Sequence, residues 1–506
     1  MKIPSTVALL LLLTIQSGHA GSATWSSNPG DGNLWASPVN WVPQTVPDGP
    51  NDTATFATSS VTYVDIDMIN DFSRTVDGIN FAPGADAFTI QVNSASLYFA
   101  GVGITNDSGI TQNFLANGLK GGSTFYFDGT STAGSLTAFT ILGGSNITRG
   151  YFGIVYFNDQ SSAGSGSFTL QGGSGNNRFG AEAFFSSTST LDHASFTVDG
   201  GLRGARGGLL SLANSANAAQ STLIANGGTR SSAGGIISLK DDSLGGQARV
   251  LVYGNGELER TLGELDISAH NPPGVTIGGL EGNGLVFLGA NSLTVGANNL
   301  TSVFSGVIQD GGASGGTGGS LVKSGKDTLT LSGANTYTGG TTVSQGTLSI
   351  GNLTGSATGT GAVQVNHGTL AGTGAISGAV TVGASSGASL APGATGTTGT
   401  LSVASSLTFG FRASYKTDLN STTVTADEVT AFGVTISSGA RIVIDDLGSD
   451  TLAPGTVFTV ISNTAATPIA GTFSNLADNS TLTVGSNTYL VSYEGGDGND
   501  LILTVQ

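Results

Sequence analysis

Three groups of residues in this chain could do chemistry. The first is aromatic: Trp25, Trp35 and Trp41 are all of its tryptophans, and a flat indole face can stack on a sugar ring. The second is Gly495-Gly496-Asp497-Gly498-Asn499-Asp500-Leu501-Ile502-Leu503, which fits the nonapeptide G-G-x-G-x-D-x-U-x of calcium-binding β-rolls. Asp497, Asn499 and Asp500 would supply its oxygens. The third is acidic, with groups that proton transfer could use: Asp241-Asp242, Asp445-Asp446, His367 and Arg441. Polysaccharide cleavage needs such carboxylates gathered at one place.

Each group also has a plainer reading. Bulky residues at one end of a chain suit an end cap, so the tryptophans are expected to plug the fold, with glycan stacking as the alternative. Calcium takes six to eight oxygens, and one nonapeptide supplies half a cage, so an Asp-Gly turn joining two strands competes with a metal site. The acids and His367 lie roughly 75 to 125 residues apart, and adjacent acids in loops follow from turn chemistry, so no catalytic set is expected and the chain is read as a non-enzyme. His19, His193, His270 and His367 have no metal-ligand spacing, and no Gly-rich string opens a helix as a phosphate loop must. Apart from the calcium alternative, no cofactor is expected.

The elements that must hold these residues follow from composition. The 506 residues include 81 Gly, only 10% are charged and 38% are apolar. Helix interiors lose about 1 kcal/mol per Gly relative to Ala, whereas short strands joined by tight turns use Gly where positive φ is needed. With no Cys, stability has to come from burial and stacking. A net charge of −17 repels phosphate backbones, which excludes nucleic acid as an expected partner.

Residues 1–20 read as a secretory leader: Lys2 is the charge, Val7 to Ile15 is apolar except for Thr14, and Gly18-His19-Ala20 offers small residues for cleavage after Ala20. No later segment has the 18 continuous apolar residues of a spanning helix. Self-similarity is then plain. FTILGG, FTLQGG, FTVDGG and LIANGG place Gly143, Gly172, Gly200 and Gly227 at spacings of 29, 28 and 27. Each repeat adds an upstream strand (TFYFD, GIVYFND, AEAFFSS, GLLSLAN, GIISLKD), and alternation such as Phe168-Thr169-Leu170 marks one buried face. Arg149, Arg178 and Arg206 recur at the junctions and read as a solvated row. Coils of ~28 residues stacking at about 4.8 Å make a parallel β-helix of up to ~17 coils, a rod on the order of 80 Å.

After GGASGGTGGS at 311–320, read as a flexible insertion, the text changes to LVKSGKDTLTLSGANTYTGGTTVSQGTLSIGN at 321–352. This string, above all Thr328 to Val343, resembles the autotransporter-associated β-strand repeat of bacterial passenger-domain-like proteins. The opening at Trp25 to Phe56 and the ending at Phe473 to Gln506 also look like the ends of such modules. The resemblance implies a right-handed parallel β-helix, exported to the surface or medium. No C-terminal outer-membrane barrel pattern is read before Gln506, so export is expected to need a separate machine.

The expected organisation is a leader (1–20), an N-terminal cap with first strands (21–84), a β-helix of ~28-residue repeats (85–310), the insertion (311–320), the passenger-type repeat region (321–410) and a C-terminal solenoid end with hairpin cap (411–506). The expected function is a secreted or cell-surface adhesive or structural rod meeting extracellular glycans or cell-surface proteins, and the alternative is a polysaccharide-binding or polysaccharide-cleaving β-helix.

Overall fold

A computed structural model describes residues 21–67, 73–118, 121–145, 150–254, 261–383, 387–394 and 396–506; the leader and Arg149 lie outside them. The described chain is a parallel β-solenoid. One ladder of parallel strands runs from Ala23–Trp25 through Ser123–Phe127, Gly153–Phe157 and Glu182–Phe185 to Val307–Gln309. A second runs nearly the full length, from Tyr63–Asp67 through Ser167–Leu170 and Thr328–Leu331 to Arg441–Asp446. Where the first ladder ends, others have taken over: a third begins at Gly274–Ile277 and a fourth at Ala375–Ile376.

Register along the second ladder gives the coil length. Phe139 pairs with Phe168, Phe168 with Phe196, and Phe196 with Leu223, which are steps of 29, 28 and 27 residues by subtraction. In the passenger-type region the steps Leu329 to Leu348, Leu348 to Leu370 and Leu370 to Leu390 are 19, 22 and 20. The coils there are shorter because Gly-containing corners replace the longer polar arcs of the first half.

The period-2 alternation buries one residue in two, and identical residues meet in register. Phe99, Phe127, Phe157 and Phe185 stack at 4.6, 4.6 and 4.4 Å, and a facing column of Phe114, Phe139, Phe168 and Phe196 at 4.6, 4.6 and 4.4 Å. The columns meet edge to face, as at Phe157–Phe168 and Phe185–Phe196. Each buried ring contributes about 1.5–3 kcal/mol of transfer free energy, and well-placed ring pairs add about 0.5–1.5 kcal/mol.

The double glycines form a corner where coils come too close for side chains. A Cβ on Gly172 would lie 2.1 Å from the Gly200 carbonyl oxygen, and one on Gly200 would lie 2.3 Å from the Gly228 nitrogen. In the passenger-type region, asparagine continues the ladder instead. Asn335 accepts the Ile308 N–H at 2.7 Å and donates to the Ala357 carbonyl at 2.5 Å, bridging to coils on either side. Asn352 repeats the device, accepting the Ala375 N–H at 2.8 Å.

Two sequence expectations are corrected here. The 311–320 insertion is a pinned loop: Ala313 N–H donates to Asp266 Oδ2 at 2.9 Å, Ser314 N–H to Ser268 Oγ at 3.0 Å and Gly319 N–H to Asp310 Oδ1 at 3.0 Å. Ser320 already belongs to the strand Ser320–Lys323. The arginine row is not simply solvated either. The Arg206 guanidinium sits over the Phe179 ring at 4.3 Å, a cation–π contact between coils.

Candidate functional site

The three tryptophans seal the N-terminal end. Trp25, Trp35 and Trp41 are 1%, 0% and 0% exposed, packed edge to face on one another and against Phe56. Their indole N–H groups donate to the carbonyls of Val61, Pro47 and Trp35 at 2.9, 3.1 and 2.8 Å. With no ring face open to solvent, they cannot stack on a glycan, and that alternative is corrected. The strand Trp41–Val42 runs antiparallel to Ala23–Trp25 and covers the ladder's first edge.

The Asp-Gly segment is the turn of an antiparallel hairpin between Asn487–Gly495 and Asp500–Val505. A β-roll cage takes ligands from successive parallel turns, and this connection has none. Asp500 Oδ1 accepts the Asn463 N–H at 2.8 Å, and the buried Asn499 amide donates to the Ala465 carbonyl at 2.5 Å. Among the described residues, no group of three His, Asp or Glu side chains is placed to hold a metal ion. Asp497 lies in this turn, and Asn499 and Asp500 tie it to residues 463–465.

The acidic groups of the sequence stay apart. Asp241 accepts the Asn214 N–H and Asp242 the Asn271 amide, both at 3.0 Å, while Asp446 Oδ1 accepts the Ser421 and Gly448 N–H groups, both at 2.9 Å. His367 and Asp242 do not join Asp445. What joins it was not foreseen: Asp445 pairs in register with Asp418, and both line a pocket of about 320 Å³ with Lys416 and Asp427. Burial, opposed by hydrogen bonds from the Asp418 and Gly399 N–H groups, pushes the Asp427 carboxyl up to about 6. Burial and the neighbouring Asp445 also raise Asp418. The 27-residue offset between Asp418 and Asp445 equals the coil length, a signal that a search for acids one period apart would have found.

The first ladder carries a row of aromatic rings on its outer face. Tyr98, Tyr126, Tyr156 and Phe184 occupy one outward row, stacked at 4.3, 5.0 and 5.2 Å with nearly parallel planes. Partial burial raises the Tyr126 and Tyr156 phenols, so their hydroxyls stay protonated and able to donate across the ordinary pH range. Continuing in register, the row reads Ser211, Ser238, Asp266 and then Phe287. Beside the small Ser238 and next to Phe287 lies a trough of about 450 Å³, walled by Leu209 and Ile236, with Lys240, Glu264 and Asp266 in its lining and the 312–313 loop at its far end. At Gly312, φ is +96° and a Cβ would lie 2.7 Å from both Asp266 Oδ1 and Ser268 Oγ, so only glycine lets the loop close on the trough.

Residues 321–350 match the family model described as passenger-associated-transport-repeat. No curated protein matches the chain. Among solved structures, the Haemophilus influenzae Hap adhesin aligns at 11% identity over 90% of this chain with a TM-score of 0.27. The chain spans about 59% of that protein's length. Residues 321–350 thus carry a passenger-associated-transport-repeat, set within a chain that is a parallel β-solenoid along its described length.

Proposed function

We propose that the protein is a non-catalytic adhesive or structural rod of the bacterial surface or surrounding matrix, contacting extracellular glycans or cell-surface proteins along its length. The observation that carries this reading is the outward row Tyr98–Tyr126–Tyr156–Phe184, a rigid strip repeated coil by coil. Stacked rings hold one another in place, so little side-chain entropy is lost on contact, and several weak contacts in a fixed line add by multivalency. The net charge of −17 keeps such rods from associating indiscriminately.

A second reading, polysaccharide cleavage, is favoured by the Asp418, Asp427 and Asp445 pocket, where a carboxyl raised to about 6 lies among other acids. One experiment separates the two. Residues 21–506 are incubated with a polysaccharide array and with whole cells, and reducing-sugar release is scored on the same samples. The adhesive reading expects binding without release, weakened several-fold in Tyr126→Ser/Tyr156→Ser. Release of sugar that disappears in Asp427→Asn would replace it with the enzymatic reading.

A further inference from the structure

We propose that the trough lined by Ile236, Ser238, Phe287 and the 312–313 loop is a subsite for an uncharged pyranose ring, an inference that rests on the adhesive reading and names one contact within it. Along the outward row, each ring from Tyr98 to Phe184 is covered on at least one face by its neighbour. Phe287 differs. Its in-register neighbours are Asp266 and Gln309, and no other aromatic ring stacks on it among the described residues. It lies four coils beyond Phe184, the last of the stacked rings, on the same outward row.

The lining has two characters. Leu209, Ile236 and Phe287 give an apolar wall and floor, while Ser238 and Lys240 bring a hydroxyl and an ammonium to the polar side, with Glu264 in the lining. The Lys240 ammonium makes no ion pair among the described residues. A pyranose has this same division, with C–H groups on its faces and hydroxyls round its edge. At about 450 Å³ the trough falls in the range of small-ligand sites and is too small for a protein partner.

Charge narrows the class. Two carboxylates, Glu264 and Asp266, stand against one amine in a chain of net charge −17, which disfavours uronates and sulfated sugars. Asp266 does not contact the ligand directly, because both its oxygens hold backbone: Oδ1 accepts the Ser268 N–H at 2.8 Å and Oδ2 the Ala313 N–H at 2.9 Å. Its role is to hold the loop as the trough's end wall, which makes it a positioning residue.

The test uses residues 21–506 with neutral gluco- and galacto-oligosaccharides and with oligogalacturonate, read by calorimetry, alongside adhesion to whole cells. The expected result is binding of a neutral oligosaccharide and not of the uronate, weakened at least tenfold in Phe287→Ala and in Ala313→Trp. Ala313 is exposed on the loop, so its indole fills the trough without disturbing the core, and an unchanged melting curve checks this. Neutral-sugar binding that is unaltered in both variants overturns the trough while leaving the adhesive rod intact. Preference for the uronate also overturns it, as does adhesion to cells with no neutral sugar bound. A wild-type chain that adheres to nothing removes both proposals.

Discussion

Replacing Gly172 by alanine should damage this protein far more than a methyl group ordinarily can. The added Cβ would lie 2.1 Å from the Gly200 carbonyl oxygen, 2.4 Å from its carbon and 2.7 Å from the Gly201 nitrogen. All three are backbone atoms of the next coil, so no rotamer change relieves the contact. Reaching a tolerable separation of 3.0 Å from that oxygen requires the coils to part by about 0.9 Å, the difference between 3.0 and the 2.1 Å found. The strands just before this corner, Ser167–Leu170 and Ser195–Val198, pair over four residues. Weakening three or four of their hydrogen bonds, at about 1 kcal/mol each, gives a loss of about 3–4 kcal/mol. The control is Gly351→Ala, whose nearest contact would be 3.8 Å away and whose φ is not positive. Its expected effect is small and could be stabilising, by about 0.4–1 kcal/mol. Urea unfolding followed by circular dichroism supplies the comparison, with amide exchange at 167–170 and 195–198 as the local readout, since solenoid stability is a sum of neighbouring-coil terms. Equal midpoints for Gly172→Ala and Gly351→Ala, with unchanged exchange at the corner, would refute the claim that the double glycines exist for coil approach.

Two further outcomes are expected. Asp427 rises from an ordinary 3.8 to about 6 chiefly through burial, so the folded state binds its proton more tightly than the unfolded state. Its stabilisation is fully present below pH 3.8 and is lost as pH rises through about 6. The urea midpoint should therefore be higher at pH 5 than at pH 7.5, and Asp427→Asn should flatten that slope; a midpoint that rises with pH contradicts the assignment. In the passenger-type repeat, Lys323 and Asp327 form an ion pair at 2.9 Å with side chains 0% and 1% exposed. Lys323→Met leaves the Asp327 charge buried alone and should cost about 3–5 kcal/mol, whereas Lys323→Met/Asp327→Leu should recover most of it. A double variant as unstable as the single one excludes an uncompensated charge as the cause.

Much of the architecture was legible because it is written locally. Period-2 alternation in segments such as Phe168-Thr169-Leu170 follows from strand geometry, and glycine doublets at steps of 29, 28 and 27 mark a coil length that needs no tertiary information. The string from Thr328 to Val343 likewise carried its own resemblance, and the family match at 321–350 covers it. The tryptophans and the Asp-Gly turn could each be read two ways, because a residue type does not say whether its neighbours will bury it.

What the linear text could not supply was which residues, a coil apart, lie side by side on the outside. Inward positions are forced by hydrophobic burial and can be counted along one strand. Outward positions matter only by what the next coil sets beside them. Tyr98, Tyr126, Tyr156 and Phe184 are 28, 30 and 28 residues apart by subtraction, and stacking register turns them into one strip. The same register brings Asp418 to Asp445, and it sets Ser211 and Ser238 between Phe184 and Phe287. The pinning of residues 311–319 likewise depends on Asp266, nearly fifty positions earlier in the chain, whose carboxylate meets that loop only after two coils have stacked. Sequence alone therefore determined the solenoid and its interior, since both arise from short-range periodicity and burial. Only the tertiary structure decided the surfaces, because they are made by long-range register between coils.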